Sequence, residues 1–457
     1  MKVHFLGIGG SGASAAAAIA EAQGFKVTGC DLNPHNEFTT IFKPNQLLTD
    51  HSPQHLASQT TSGNVDILAV TPAIFSLDPE NPELLAAKEK GIPIMTWQQF
   101  LGEYLAKDKF VIAICGTHGK TTTTAMIAKM LEDAGLDPTV ELGAIVPWWK
   151  ANYKQSLKFS QGSNYRIGKG KFFVIEADEF NDNFLHLKPD INVVTNIEMD
   201  HPEYFKDFEA VKKSFKKFLE STKQKIVANL SDPVVKQILS IHPKGANITI
   251  DYSKHLIDFS LQIPGEFNVM NASAAFQVGL ALGINPENIK KSLQNYKGIG
   301  RRFEYIGECK GAKVYSDFGH HPTEIKVTMQ ATRQKFPNQR ILLIYQPHMF
   351  SRTKALFSDF VKILSTTPVD KIFVMDIYPS REVDTGLVTS QQLVEAIQKE
   401  VEPKLRNGEK MVPSIKYVGN KDQALEKIKP EIRKGDIVFF MSAGDTDKLA
   451  KELTTKV

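Results

Sequence analysis

The sequence predicts an α/β protein of three domains: a Rossmann-like N-terminal domain, a central phosphate-loop domain and a Rossmann-like C-terminal domain. Apolar strands alternate with helical segments along the chain, which is the pattern of parallel sheets. A strand that runs into a glycine loop and then into a helix occurs twice. At roughly 150 residues per domain, 457 residues correspond to about three domains. We place these domains at residues 1–107, 108–300 and 301–457.

The first segment opens with a short strand at Val3–Leu6, followed by glycines and an alanine-rich helix at Ala13–Ala22. A second strand is predicted at Lys26–Gly29. Two more apolar runs, Asp66–Thr71 and Ile92–Met95, complete a parallel sheet.

The second segment contains three buried-strand patterns, at Lys109–Cys115, Phe172–Glu176 and Ile191–Thr195. Apolar residues then recur at helical spacing from Phe208 to Leu219, which predicts an amphipathic helix whose lysines face solvent. The stretch Pro147–Lys171 is aromatic, basic and without acids, and we predict an irregular surface loop there. Contact of this stretch with phosphate or nucleic acid is the alternative.

The third segment begins after Gly300 and has four predicted strands with helices between them. They are Lys313–Ser316, Arg340–Tyr345, Lys371–Asp376 and Asp436–Met441.

Composition excludes several classes of protein. Hydrophobic residues make up 42% and charged residues 23% of the chain, which excludes a disordered or collagen-like chain. The net charge of +4 does not indicate a dedicated nucleic-acid binder. We expect a cytoplasmic protein without membrane insertion, since no apolar run reaches the length of a membrane helix. The cysteines Cys30, Cys115 and Cys309 are widely separated and form no CxxC pair, so they predict neither a zinc knuckle nor a disulfide framework.

The first glycine loop has the pattern G-x-G-x-x-G at Gly7, Gly9 and Gly12, with Gly10 and Ser11 between them. Such a loop allows close approach of a phosphate to the backbone and to the helix N-terminus. Asp31 follows at the distance where dinucleotide folds bind a ribose hydroxyl. The loop therefore predicts a diphosphate-bearing ligand, NAD included. A glycine turn needed only for packing is the alternative.

The second glycine loop has the form G-x-x-G-K-T, shorter than a full Walker sequence because position 114 is Ile114. Backbone amides of such a loop surround phosphates, the lysine reaches the outer phosphates and the threonine binds Mg²⁺. The candidate ATP-binding residues are Gly116, Thr117, His118, Gly119, Lys120, Thr121 and Thr122. A kinase needs this loop alone and a dehydrogenase the first loop alone, whereas an ATP-driven enzyme acting on a nucleotide-linked substrate needs both.

Acidic residues follow two predicted strands of the central domain. Glu176, Asp178 and Glu179 end one strand, and His201 lies just beyond the next. Ligands collect at the carboxyl ends of parallel strands. Thr121 and Glu176 are thus candidate ligands of one Mg²⁺, and His201 is a candidate ligand of a second metal, which together would suit phosphoryl transfer. Capping of the following helices is the alternative interpretation of the acids.

Polar clusters also follow two strands of the third segment. Asp317, His320 and His321 come after the first of these strands, and His348 and Arg352 after the next. Two such clusters after adjacent strands favour a binding role for this edge of the sheet.

Taken together, the motifs resemble those of the Mur ligases, the ATP-dependent amide-bond-forming enzymes of peptidoglycan synthesis. The resemblance covers nearly the whole chain. It is carried by HFLGIGGSG, GTHGKTTTTAM, EADEFNDNFLHLKP, VTNIEMDH, GIGRRFEYIG, DFGHHPTE, QPHMFSRT and SAGD.

The resemblance implies that UDP, rather than NAD, meets the loop Gly7–Gly12, and that ATP and Mg²⁺ bind the central domain. It implies UDP-N-acetylmuramate and L-alanine as substrates, joined through an acyl phosphate. Asn268, Arg302 and Asp317 are then nucleotide contacts. The third domain closes over the site and helps admit the amino acid. In full, the implied catalytic residues are Lys120, Glu176, His201, His320, His348 and Arg352.

Two positions depart from the family pattern where the amino acid is expected. Phe318 stands in place of tyrosine, and Met349 stands in place of arginine. A Mur-type ligase that adds another amino acid or a peptide therefore remains an alternative. A carbamylated lysine, which some members use, cannot be placed. Two alternatives from other classes remain. The second glycine loop argues against an NAD-dependent oxidoreductase. The intact Lys120, Glu176 and His201 argue against an inactive binding protein.

Overall fold

The computed structural model describes residues 1–34, 36, 38–57, 64–149, 162–240, 248–380, 382–406 and 412–455. Within these ranges the strands form three sheets, of five, seven and six strands. Most neighbouring strands run parallel and are joined through helices, which confirms the predicted α/β class.

By its internal contacts the chain divides into two compact units. The first comprises Met1–Met199, Asp207–Ser260 and Met270–Tyr296, and it contains the first two sheets. The second comprises Asp200–Lys206, Leu261–Val269 and Lys297–Val457, and it contains the third sheet. Each predicted domain range holds one sheet, while the exact boundaries at 107/108 and 300/301 stay predictions.

The first sheet is fully parallel, in the order β3-β2-β1-β4-β5. Because the order reverses between β1 and β4, a crevice is expected at the carboxyl end of β1, where the first glycine loop lies. The elements are β1 Lys2–Leu6, α1 Ser11–Ala22, β2 Lys26–Asp31, β3 Leu47–Thr49, β4 Ile67–Val70, α2 Ala73–Leu77, α3 Pro82–Glu89, β5 Ile94–Thr96 and α4 Trp97–Phe100, with short helical turns at Pro53–Leu56 and Leu101–Leu105.

The second sheet has the order β12-β11-β10-β6-β9-β7-β8, with β8 antiparallel at its edge. The central strand β6 therefore lies beside both β9 and β10, and the three strands end at the same edge. The elements are β6 Phe110–Cys115, α5 Lys120–Asp133, β7 Thr139–Val146, β8 Ser163–Arg166, β9 Phe172–Glu176, β10 Ile191–Val194, α6 Phe208–Glu220, β11 Lys225–Ala228, α7 Pro233–Ser240, β12 Ile248–Asp251, α8 Glu266–Ala281 and α9 Pro286–Gln294, with turns at Phe180–His186 and Tyr252–Lys254.

The third sheet has the order β13-β14-β18-β15-β16-β17, with β13 antiparallel to β14. The elements are β13 Glu304–Cys309, β14 Ala312–Asp317, α10 Pro322–Lys335, β15 Ile341–Tyr345, α11 Phe350–Ala355, α12 Phe357–Leu364, β16 Lys371–Met375, α13 Ser390–Arg406, β17 Ser414–Gly419, α14 Lys421–Ile428, β18 Ile437–Met441 and α15 Thr446–Thr455, with a turn at Lys429–Glu431.

The strand β15 shows why the sequence of this sheet is apolar without alternation. Ile341, Leu343 and Tyr345 pack into one buried cluster, and Leu342 and Ile344 pack into another. Because successive side chains of a strand point to opposite faces, helices cover both faces of the sheet. None of the described helices combines the length and the apolar character needed to cross a membrane.

The prediction for Pro147–Lys171 is wrong in one part. Ser163–Arg166 forms the edge strand β8, which pairs antiparallel with β7 and buries Tyr165. Its sequence lacks an apolar alternation, and cross-strand pairing with β7 supplies the order instead. Residues 150–161 of this stretch lie outside the described residues.

The buried face of α6 yields a prediction on stability. Phe218 is fully buried and stacks on Phe184, with 4.4 Å between ring centroids. We expect Phe218→Ala to lower the free energy of unfolding by about 3–5 kcal/mol, because it leaves a cavity in the core. Denaturant titration followed by fluorescence measures this loss. Lys216→Ala, on the exposed side of the same helix, should change stability by less than about 0.5 kcal/mol. An equal loss in both variants would contradict the packing.

Candidate active site

The first glycine loop is fixed by the strand that follows it. The Gly9 amide donates to Asp31 Oδ2 at 2.9 Å. A Cβ atom at position 9 would lie 2.7 Å from that oxygen, so only glycine allows this approach. Gly10 caps α1, which begins at Ser11, and a Cβ on Gly12 would collide with the Trp97 ring at 2.3 Å. Gly9 thus allows Asp31 to bind the loop, and Gly12 allows Trp97 to pack against α1. The UDP contacts of Gly7–Gly12 and Asp31 stay predictions.

The second glycine loop is clamped to the end of β10. The amides of Thr117 and His118 donate to the backbone oxygen and to the side-chain oxygen of Asn196, both at 2.9 Å. Gly119 has φ +86° and caps α5, which begins at Lys120. The first turn of α5 therefore presents the positive end of a helix at the edge where β6, β9 and β10 finish. This arrangement suits a phosphate.

Lys120 points into this edge and is largely buried. Its Nζ donates to the Gly116 carbonyl at 2.6 Å and to Glu179 Oε2 at 2.9 Å. Burial alone would lower the pKa of Lys120, but the charges of Glu179, Asp178 and Glu176 outweigh it and raise that pKa. Lys120 therefore stays protonated throughout the neutral range, as a phosphate-binding lysine must.

Glu176 stands where a magnesium ligand is predicted. Its Oε1 accepts from the Thr121 hydroxyl at 2.7 Å, and its Oε2 accepts from the Gly143 amide at 2.8 Å. A hydroxyl and a carboxylate in contact, beside a phosphate loop, are the oxygen donors that Mg²⁺ prefers. The residues present thus fit the ion, with Thr121 and Glu176 both in the first compact unit.

A further carboxyl group, which the sequence reasoning missed, lies beside this pair. Glu141 on β7 is only 3% exposed, and among the described residues its Oε2 has no hydrogen-bond partner. Burial, together with the charges of Glu176 and Asp178, raises its pKa well above the ordinary value. This environment therefore favours the protonated form of Glu141. No motif marked it, because only the pairing of β7 with β9 brings it near Glu176.

The second compact unit carries the other predicted nucleotide contacts. Asp317, at the end of β14, accepts from the amides of Phe303 and Gly319, both at 2.8 Å. Burial raises its pKa, partly offset by Arg302. The Arg302 guanidinium lies over the Phe318 ring, 5.1 Å from its centroid. The side-chain Nδ2 of Asn268 donates to the Pro264 carbonyl at 2.6 Å.

In the same unit Arg352 lies at the centre of a buried polar cluster. It donates to Asp200 Oδ1 at 2.7 Å through Nη2, and its Nη1 lies 3.0 Å from His348 Nδ1. The His320 and His348 rings meet edge to face at 5.4 Å. Burial and then Arg352 lower the pKa of His320 to about 4, so this imidazole is neutral at physiological pH. The structure thus brings His320, His348 and Arg352 together as predicted.

His201 and His321 have separate surroundings. His201 has φ +54°, and its Nδ1 lies 3.2 Å from Glu203 Oε1. A second metal at His201, separate from the one predicted at Thr121 and Glu176, stays a prediction. His321 caps α10, since its ring accepts from the Thr323 amide. A helix cap accounts for this histidine.

The two positions that depart from the family pattern differ in exposure. Met349 is fully buried, caps α11 and has φ +68°. Phe318 is partly exposed and is flanked by the guanidiniums of Arg301 and Arg302. Met349 therefore presents no exposed side chain, whereas Phe318 does.

Comparison with known proteins decides the family. Three family models match successive parts of the chain: "Mur ligase family, catalytic domain" at residues 2–109, "Mur ligase middle domain" at 114–255 and "Mur ligase, glutamate ligase domain" at 301–444. A curated relative from Aquifex aeolicus, UDP-N-acetylmuramate–L-alanine ligase, is 34% identical over 100% of this chain and 98% of its own.

The chain belongs to the Mur ligase family. Solved structures of Mur ligases share its three-domain α/β architecture. UDP-N-acetylmuramate–alanine ligase from Thermotoga maritima superposes with a TM-score of 0.73 at 24% identity, covering 99% of this chain and 98% of the other. A murein peptide ligase from Psychrobacter arcticus gives 0.67 at 24%, covering 100% and 99%.

Glu141 gives a prediction on pH dependence. Its folded pKa is raised, so the folded state holds a proton that the unfolded state loses, and wild-type stability falls as pH rises through that interval. Glu141→Gln removes this penalty. We expect the variant to gain stability over wild type, with a larger gain at pH 8 than at pH 5, in denaturant titrations without divalent ions. The exposed Glu209→Gln should show no such difference. A gain that is independent of pH would refute the protonated assignment.

Proposed function

We propose that this chain is an ATP-dependent ligase that joins L-alanine to UDP-N-acetylmuramate in the cytoplasm, in the synthesis of peptidoglycan precursors. The observation that carries the proposal is the phosphate loop, in which Lys120 contacts Glu179 and Thr121 contacts Glu176. The Aquifex aeolicus relative, named for this activity, matches the whole chain. The first glycine loop supplies a second place for a diphosphate, as a UDP-linked substrate requires.

The reaction has two steps. A carboxylate resists attack by an amine, because its carbonyl is electron-rich and oxide is a poor leaving group. The carboxylate of the UDP-sugar first attacks the γ-phosphorus of ATP, which gives an acyl phosphate and ADP. The amine of L-alanine then attacks the acyl carbon, and phosphate leaves from the tetrahedral intermediate.

The residues of the central domain act mainly on the first step. Lys120 supplies a permanent positive charge toward the β- and γ-phosphates, since its pKa is raised. The helix N-terminus at Lys120 adds a fixed dipole. A phosphoryl group in transfer spreads charge over its oxygens, so fixed positive groups stabilise the transition state. Glu179, the resting partner of Lys120, would yield its place to the phosphates.

Thr121 and Glu176 would hold Mg²⁺, which, when bound, neutralises phosphate charge. The role of this chain is to orient that pair, through the Gly143 amide on Glu176 Oε2. His320, neutral at physiological pH, can accept a hydrogen bond from the incoming amine, although its lowered pKa makes it a weak base. Arg352 would bind a carboxylate of the incoming amino acid. Asn268, Arg302 and Asp317 would contact the nucleotide.

A ligase that adds another amino acid, or a peptide, to the same sugar nucleotide is the second candidate. It is favoured by Met349 and Phe318, which replace the usual residues where the amino acid is expected. The murein peptide ligase fold is shared over the full chain, so the architecture accommodates either acceptor. An NAD-dependent oxidoreductase is not favoured, because it would have no use for the second loop.

The proposed activity predicts substrate-dependent phosphate release. We expect purified protein with Mg²⁺, ATP and UDP-N-acetylmuramate to release phosphate on addition of L-alanine, with the amide product seen by mass spectrometry. Glycine, L-serine and a murein peptide form the comparison panel, and reactions without the UDP-sugar are the blank. Release with the peptide alone would establish the second candidate. No release with any amine would refute the ligase assignment.

The role of Lys120 gives a separate prediction. Lys120→Met removes the charge that faces the phosphates, and we expect kcat to fall by about 10²–10³-fold or more. Lys129→Met is the matched control: it lies on the same helix, but its partner is Asp133. This control should retain wild-type kcat. Circular dichroism checks that both variants fold, and near-normal turnover in a folded Lys120→Met would contradict the assigned role.

A further inference from the structure

The first sheet holds a cluster of metal-binding side chains that the ligase reaction does not use. It consists of His4 on β1, Cys30 on β2, His55 in the turn Pro53–Leu56 and Glu83 in the first turn of α3. One ligand atom from each of the four lies within 4.8 Å of all the others. His4, Cys30 and Glu83 are fully buried, and the His55 side chain is 12% exposed. We call these four residues the His–Cys–Glu cluster.

The distances in the cluster are close to those of a coordination shell. His4 Nε2 lies 3.4 Å from Cys30 Sγ and 3.1 Å from Glu83 Oε2. Glu83 Oε1 lies 3.0 Å from Cys30 Sγ and 2.8 Å from His55 Nδ1. In a tetrahedral zinc site with bonds of 2.0–2.3 Å, neighbouring ligand atoms are roughly 3.3–3.8 Å apart. These four contacts are shorter than that by up to about 1 Å, and all the ligand atoms lie within 4.8 Å of one another, so small side-chain movements would suffice to surround an ion.

Both histidines are also held on their other ring nitrogen. His4 Nδ1 lies 2.8 Å from the Thr28 hydroxyl, and His55 Nε2 lies 3.3 Å from Asp50 Oδ1. Histidines that bind metal usually have their second nitrogen oriented by a hydroxyl, carbonyl or carboxylate group, which fixes the ring and the tautomer. The cluster therefore has the outer contacts of a metal site as well as its ligands.

Hydrogen bonding within the protein leaves the cluster incompletely satisfied. Glu83 Oε2 is fully buried and, among the described residues, makes no hydrogen bond of acceptable geometry, although His4 Nε2 is near. A buried carboxylate oxygen without a hydrogen bond is costly. A cation at the centre would satisfy this oxygen.

We propose that the His–Cys–Glu cluster binds one Zn²⁺ ion, through His4 Nε2, Cys30 Sγ, His55 Nδ1 and the Glu83 carboxylate. Nitrogen, thiolate and carboxylate are the donors that zinc takes, and four protein ligands make a closed, structural site. On binding, the Cys30 thiol gives up its proton to solvent, and Glu83 is already a carboxylate. The ion would tie together two strands, a turn and a helix of the first sheet.

Metal content and a cobalt spectrum test the proposal on the full chain, expressed without a histidine tag. We expect the chelated protein to take up about one equivalent of Zn²⁺ tightly, and Zn²⁺ to raise its unfolding temperature. Co²⁺ in the same site should give intense tetrahedral bands and a thiolate charge-transfer band. A magnesium-type site of oxygen ligands gives neither.

Variants locate the ion. Cys30→Ser should lose the thiolate band, whereas Cys309→Ser, which also removes a buried cysteine, should keep it. His55→Gln should lose tight binding, and His255→Gln should retain it. Asp50→Asn changes an exposed side chain, so folding is preserved, and zinc affinity should fall by about 10–100-fold.

Three outcomes would overturn the proposal. They are no tight Zn²⁺ binding by the wild-type protein, a cobalt spectrum without a thiolate band, and equal stoichiometry in the folded His55→Gln and His255→Gln variants. The cluster would then be a hydrogen-bonded network only. None of these results depends on ligase turnover, so the zinc site and the proposed function are tested separately.

Discussion

The positive charge of Lys120 is the constraint on which the central site depends. A buried ammonium group is tolerated only with a close counter-charge, and Glu179 provides it at 2.9 Å. That requirement fixes the first turn of α5 against the end of β9, where Glu176 in turn binds Thr121. The ion pair with Glu179 holds the Lys120 side chain where it would meet a phosphate. An incoming polyphosphate would then take the place of the Glu179 carboxylate as the negative partner of Lys120.

The sequence was sufficient to predict most of the residues at this edge of the second sheet, because they follow directly after individual strands. A phosphate loop after β6 and acids after β9 are visible as motifs, and parallel strands end at the same edge. It could not show that Asn196 would hold the loop amides, since that depends on β10 lying next to β6. Glu141 was missed for the same reason: the antiparallel β7–β8 pair and the parallel β7–β9 pair are set by tertiary packing.

Two of the strands that escaped prediction, β8 and β13, share a physical cause. β8 and β13 are antiparallel to a single neighbour, and their residues are neither uniformly apolar nor cleanly alternating. Their order comes from backbone pairing with a partner strand rather than from burial of their own side chains. Central strands such as β15 were predicted with nearly correct bounds, because burial on both faces requires a continuous apolar run.

The end of β2 links the glycine loop to the His–Cys–Glu cluster. The Cys30 carbonyl accepts from the amides of Gly7 and Ile8, and the next residue, Asp31, accepts from Gly9. The Cys30 side chain points instead to Glu83. Neighbouring residues of one strand thus hold the loop through Asp31 and the cluster through Cys30. An ion bound to Cys30 would restrict the same strand end that fixes the loop, so its stabilising effect should extend to the site proposed for UDP. The four ligands come from separate elements and are not regularly spaced in the sequence. No cysteine motif could therefore predict them.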